Sequence, residues 1–402
     1  MRLLFLIGVV VWQATDSNAV IPLNSVIKSV NTFSNNVVKA IAEDVPGNLI
    51  CSAVGADMVL SMATFGACGR TEKVLRSALA LNRDDSLTLN GYQSLHDTLA
   101  NAKDYELRMA NKMYLAKGFK LEAKFREAVE TGFRSSPENI DFGNPSKATE
   151  IINHWAEVQT NNHVKDLVKE ADFDSDTALV LVNAIYFKAR WELQFGEYFT
   201  KPRPFHVNGE ILKNVTTMMN SGTYRLGELP DVKAKFLEIE YMTSRSSMDD
   251  VSMFIILPDE INGIGKLVKN LEKVSVKSLL RGRRRTVNVY LPKFKIESTI
   301  DLQVPLTKMG LGKIFTDRAD FTGIAASPPL KVSKILQKAF IEVNEKGTEA
   351  AAAAKSQFMS RAGWDERMSD PIDFKVDHPF VAVIATKRGL PLFTSVVMEP
   401  IY

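Results

Sequence analysis

The chain has 402 residues, of which 45% are hydrophobic and 24% charged, so it can bury a large core and lies far from the composition of a disordered polymer. Lysine plus arginine numbers 50 against 47 for aspartate plus glutamate, a net charge of +3. That balance excludes a dedicated nucleic-acid binder, and any polyanion site has to be local.

The chain opens with Arg2 and a ten-residue apolar run, Leu3 to Trp12, then turns polar toward Ser17-Asn18-Ala19. The run is half the ~20 residues that a spanning helix needs, and small residues stand where a signal peptidase cuts. Residues 1–19 read as a secretory leader cleaved after Ala19, leaving 20–402 as one extracellular domain with no membrane span.

Apolar residues recur at helical spacing over Ile27–Ile41, Ala53–Ala67, Thr71–Ala80 and Ala123–Thr131. Cys51 and Cys68 flank the second of these, 17 residues apart. A helix between them would hold them ~25 Å apart. A disulfide needs Cα atoms within about 7 Å, so two free thiols are expected. Strand signals dominate further on: near-continuous apolar runs at Leu179–Phe187 and Val251–Leu257, alternation at Thr286–Leu291 before Pro292, then Phe340–Val343, Pro379–Ile384 and Leu392–Met398. Helices first and strands later, with no internal repeat, predict one α+β domain.

Asn214-Val215-Thr216 is an acceptor triplet for N-glycosylation, whereas Asn144 is blocked by Pro145. Arg281, Arg283, Arg284 and Arg285 form the densest basic run, read as a solvated loop between helix and strand; the partner it would attract is a sulfated glycosaminoglycan. The five histidines, His96, His154, His163, His206 and His378, show no metal-ligand spacing, and neither a nucleophile elbow nor a phosphate-cradling loop is present. No metal, cofactor or enzyme activity is expected. Asp97 beside His96 and Asp377 beside His378 could each be half a catalytic triad, but sequence neighbours seldom make that contact.

Five collinear blocks across the mature chain resemble the serpins. These are Leu181-Val182-Asn183-Ala184-Ile185-Tyr186-Phe187-Lys188 with Trp191, Leu291-Pro292-Lys293-Phe294-Lys295-Ile296, Asp320-Phe321-Thr322-Gly323-Ile324, the stretch from Phe340 to Ala351, and His378-Pro379-Phe380 with Phe393 to Pro400. The resemblance implies three β-sheets with about nine helices, and an exposed reactive-centre loop over residues 345–378. It also implies a suicide mechanism: a protease cuts the loop, which then enters the central sheet and carries the acylated enzyme with it.

The resemblance marks Glu345, Gly347, Thr348, Glu349, Ala350, Ala351 and Ala352 as hinge residues. Alternation puts Thr348, Ala350, Ala352 and Ala354 on one face, all small enough to slide over a packed core. If roughly a dozen ladder hydrogen bonds form at ~1 kcal/mol each, insertion gains on the order of 10 kcal/mol. Family spacing puts the reactive bond fourteen residues past Gly347, at Arg361-Ala362, with Arg367-Met368 as a rival. Arginine suits a trypsin-like pocket with a buried carboxylate. The implied partner is a trypsin-like serine protease held covalently by a monomeric inhibitor. A non-inhibitory carrier and an inhibitor of papain-like cysteine proteases are the alternatives.

Two positions depart from the family pattern. Asn48 to Gly55 carries Ala53 and Gly55 where the family has proline and serine, and Gln337 replaces a histidine in the sheet-opening region that also holds Asn183 and Trp191. The missing hydroxyl at residue 55 is expected to remove a hydrogen-bond partner and so alter sheet opening. Lys293 and Glu345 match a salt bridge at the top of the sheet.

Overall fold

The structure, a computed structural model, describes residues 2–207, 211–244, 247–348 and 370–402, with the backbone alone for 2–19. The chain begins with α1 (Arg2–Ala42), β1 (Leu49–Cys51), α2 (Ala53–Thr64), α3 (Gly69–Ala78) and α4 (Asp85–Ala100). It continues through β2 (Glu106–Ala116), α5 (Ala123–Phe133), β3 (Glu138–Ile140), α6 (Pro145–Gln159) and β4 (Leu179–Arg190). Next come β5 (Lys201–Val207), β6 (Ile211–Leu229), β7 (Ala234–Glu240), β8 (Val251–Pro258), α7 (Ile264–Lys269) and α8 (Val276–Leu279). The last third holds β9 (Arg283–Pro292), β10 (Phe294–Asp301), α9 (Gln303–Leu306), β11 (Val332–Asn344), β12 (Gly347–Thr348), β13 (Ile372–Lys375), β14 (Phe380–Thr386) and β15 (Pro391–Val397).

Local chemistry sets the helix starts. Ser52 caps α2 by accepting the Gly55 N–H, Asp84 caps α4 through Leu87, and Asn144 caps α6 with Pro145 at the first helical position. Every residue of α2 is buried, which fits a helix apolar all round and enclosed by other elements.

The central sheet has six strands in the order β10-β11-β12-β4-β2-β3. β4 is covered on both faces, which is why it reads as an unbroken apolar run. Leu179, Leu181, Ile185 and Phe187 join the main core, while Val180, Val182, Ala184 and Tyr186 join a smaller core beneath α6. The other strands form one nine-stranded sheet. The second and third sheets implied by the resemblance are continuous here, because the 19-residue β6 pairs in succession with β5, β9 and β7.

Of the expected leader, residues 1–19, the backbone of 2–19 lies at the start of α1, and its side chains are outside the described residues. Among the described residues no helix is long and apolar enough to cross a membrane, and no cluster of side chains could hold a metal ion.

Candidate functional site

Three strands meet at the top of the central sheet. β11 and β4 run parallel and pair from Val332 opposite Leu179 to Phe340 opposite Tyr186. Beyond that point they part and β12 fills the gap. Thr348 pairs with Val343 on one side and Ala189 on the other, and Gly347 with Asn344 and Arg190, antiparallel to both neighbours. Gly347 and Thr348, two of the expected hinge residues, therefore already form a strand of the sheet. Only glycine fits at 347: its φ is +155°, and a Cβ there would collide with the Ala189 carbonyl oxygen and lie 2.8 Å from Arg190 Cα.

Thr348 is fully buried, and its hydroxyl lies 2.6 Å from the hydroxyl of Tyr241. The Tyr241 ring stacks on Trp191 with centroids 4.5 Å apart. Trp191 in turn holds the turn that precedes β12, donating from Nε1 to the Asn344 carbonyl at 2.9 Å and from its backbone N–H to Lys346 at 3.0 Å. Glu345, between these two, takes Lys293 Nζ at 3.0 Å and the Thr200 hydroxyl at 2.9 Å. Burial pushes the Glu345 carboxyl up, but its own backbone N–H, Lys293 and Thr200 together hold it below the ordinary value. Lys293 also lies 4.0 Å above the Tyr402 ring, so the chain's last residue helps fix the bridge. Sequence reasoning found Lys293, Glu345 and Trp191 but missed Tyr241, Thr200 and Tyr402, which lie far off in sequence and carry no motif.

Lower in the sheet, Gln337, Asn183 and Asn111 occupy one register line across β11, β4 and β2. Gln337 Nε2 donates to Asn183 Oδ1 at 2.8 Å, and Asn183 Nδ2 donates to Asn111 Oδ1 at 2.7 Å. Gln337 also clasps the start of α2, donating to the Ser52 carbonyl and accepting the Ser52 N–H, both at 2.8 Å. The expected bridge between Gln337 and Asn183 is thus made, with Asn111 as an unforeseen third member. Gly55 requires a correction. No partner is missing there: a Cβ at 55 would lie 2.5 Å from Asn183 Cγ and Nδ2 and closer still to Oδ1. Asn183 occupies the space a side chain would need, and its polar atoms are satisfied by neighbouring strands.

The other predicted positions are dispersed. Glu349, Ala350, Ala351, Ala352, Arg361, Ala362 and the rival Arg367-Met368 lie outside the described residues. Asn214 is exposed on β6, opposite Pro204 of β5. The basic run is not a loop, since Arg283, Arg284 and Arg285 open β9. Arg284 is bound at 2.7 Å to both oxygens of Glu240, while Arg281, Arg283 and Arg285 are exposed. His378 does contact its neighbour, with Nδ1 2.7 Å from Asp377 Oδ1, contrary to expectation. Its Nε2 faces the Pro258 carbonyl at 2.8 Å, so both ring nitrogens already have acceptors and neither is free to serve a nucleophile. Cys51 and Cys68 are free, and burial pushes the Cys51 thiol up to about 12, which makes it inert.

Residues 28–400 match the family model described as Serpin (serine protease inhibitor). The chain is 35% identical over 382 residues to antitrypsin of Bombyx mori, covering 94% of this chain and 95% of that one. Among solved structures, Serpin48 of Tenebrio molitor superposes with a TM-score of 0.83 at 31% identity, covering 93% of this chain and 98% of that one. Human thyroxine-binding globulin superposes with a TM-score of 0.80 at 27% identity, covering 94% and 100%. Matched by the family model nearly end to end and alike in fold to solved members, the chain belongs to the serpins, the family of serine protease inhibitors.

Proposed function

We propose that this serpin is a secreted, single-use inhibitor of a trypsin-like serine protease, with Arg361 as the residue the protease reads. The protease serine attacks the Arg361 carbonyl, the Arg361–Ala362 bond breaks, the Ala362 amine leaves, and the acyl-enzyme remains on Arg361. The freed strand then lengthens from Thr348 downward between β4 and β11, and the tethered protease is pulled along before water can release it. The observation that carries this reading is the pairing of Gly347 and Thr348 with both neighbours, which supports a strand that would extend between them in the same register. The name of the Bombyx mori relative, antitrypsin, agrees with an arginine-directed target. The leader cleaved after Ala19, a glycan at Asn214, a monomeric state and glycosaminoglycan contacts at Arg281, Arg283 and Arg285 belong to the same proposal; Arg284 is already committed to Glu240.

Incubation with trypsin followed by denaturing electrophoresis tests it. A covalent band is expected, together with release of peptide 362–402 by mass, and its loss in Arg361→Ala. Release of peptide 368–402 instead would move the reactive bond to Arg367. A nicked preparation that melts at the same temperature as the intact one would refute insertion.

One observation favours a second reading, a carrier. A cavity of about 580 Å³ lies between α1, α7 and β15, lined mainly by apolar residues including Val45, Leu49, Val268 and Val396. Among the structural relatives, thyroxine-binding globulin carries its ligand in its name. Clean cleavage with no covalent complex would favour this reading.

A further inference from the structure

A second, smaller cavity touches the amide row from behind. It measures about 230 Å³ and lies where α4, β2, α6 and the end of α5 converge, with His96, Asn111, Lys112, Arg134, Ser135 and Trp155 in its wall. Its volume equals that of roughly eight waters, enough for one ring or a short chain. Its lining includes two fixed cations and a histidine, and among the described residues no carboxylate lines it. Lys112 is held by Glu138 at 2.6 Å, with its Nζ 5.7 Å from the centre of the Trp155 ring, and Arg134 is steadied by Asp97 at 3.3 Å. Both acids grip their cations from outside the cavity wall. His96 Nδ1 is buried and lies 3.7 Å from Asp97 Oδ1, beyond hydrogen-bond distance.

The cavity also reaches the sheet. The Ser135 hydroxyl donates to the Asn111 carbonyl at 2.8 Å, and the Asn111 side chain begins the row that continues through Asn183 to Gln337. The Asn111 amide donates to Met58 Sδ at 3.5 Å, a weak acceptor on the buried α2. A strand entering between β4 and β11 must break the bond between Gln337 and Asn183, which loosens Asn111 in turn.

We propose that the cavity walled by Lys112, Arg134, Ser135 and Trp155 binds a small organic anion, a carboxylate on a single ring or short chain, and that its occupation holds β4 and β11 together through Asn111, Asn183 and Gln337. The cations take the carboxylate and Trp155 takes the apolar body. Because the occupied state is the one with the amide row intact, the ligand opposes opening by as much as it prefers that state. The binding site stands alone; the linkage rests on the inhibitory reading above.

The test is calorimetric titration of the full chain with benzoate, with neutral benzamide as control. Benzoate is expected to saturate one site with Kd below about 1 mM, a reasonable strength for nine non-hydrogen atoms. Binding should weaken at least tenfold in Arg134→Gln, whose side chain is exposed and whose loss leaves the fold intact, and benzamide should give no saturable heat. Equal binding of benzoate and benzamide, or none, overturns the site. For the linkage, a synthetic peptide of sequence 349–361 is added to the intact protein and its incorporation followed by native electrophoresis. Saturating benzoate should slow incorporation severalfold, and not in Arg134→Gln; an unchanged rate overturns the linkage. If the peptide fails to enter even without benzoate, the inhibitory reading falls, while calorimetry still decides the site.

Discussion

Replacing Gly55 by alanine tests whether glycine at this position is a defect or a requirement. The added methyl group would overlap the Asn183 amide, whose nearest atoms lie 2.5 Å away or less. α2 is buried and β4 is fixed on both sides, so the amide has to swing away. Two buried hydrogen bonds would break, to Asn111 and from Gln337. Stranding buried polar groups costs about 1–3 kcal/mol for each bond, and alanine returns about 1 kcal/mol through its better helix propensity. The net loss expected is about 3 kcal/mol, read as a lower urea midpoint. Asn183→Ala removes the obstacle, so in the double variant the two costs should fall short of their sum by about 2 kcal/mol. A Gly55→Ala protein within about 0.5 kcal/mol of the parent, or strictly additive costs, would refute the packing argument.

Thr348→Arg should expel the hinge, because a guanidinium cannot occupy a fully buried position beside Tyr241; trypsin would then cleave the protein without forming a complex, and an unchanged yield of complex would contradict this. Tyr241→Phe removes only one buried hydrogen bond and should lower stability by about 1 kcal/mol in urea while leaving complex formation intact. Glu345→Lys sets two cations against each other at a partly buried site and deprives Thr200 of its acceptor, so mild heating should give polymers on size exclusion; equal recovery of monomer would count against the assignment. Asp57 gives a pH signature. Burial raises its carboxyl to about 7 despite the hydrogen bond from Tyr92, and its second oxygen has no partner. From about pH 4 to 7 the native state keeps a proton that the unfolded chain releases, so stability falls as pH rises through this window, by about 1.4 kcal/mol per unit, and levels off above it. Asp57→Asn should remove that slope, and identical pH profiles for the two proteins would refute it.

The long buried elements were legible because their patterns are local. The apolar run at Leu179–Phe187 and the helical spacing at Ala53–Ala67 each report burial directly, and both elements are present. α4 and α6 escaped because the buried stripe of each mixes in small or polar residues, Thr88 and Gly91 beside Tyr92, Leu95 and Leu99 in one and Ala148 and Ala156 around Ile152 in the other. At the top of the sheet, the residues that belong to motifs were found, while Tyr241 and Thr200, which close the same site from 107 and 145 residues away, were not. Gly55 shows the limit of reading by family pattern. A missing hydroxyl looks like a lost partner until Asn183 is seen filling the vacated volume, and that is a fact of packing between α2 and β4 that no single stretch of sequence contains.

The two-residue strand β12 also bears on how fast the molecule could act. Starting a new strand in a closed sheet is the slow part, since edges must separate and side chains must choose a face before any bond is gained. Here that choice is already made: Thr348 points inward, with Ala189 and Val343 fixing its alignment. In the proposed inhibitory mechanism, growth from this seed would be a zipper advancing from its first tooth, and a slip of one residue would mean undoing that tooth. A race against hydrolysis of an acyl bond favours a molecule that begins with its thread through the needle.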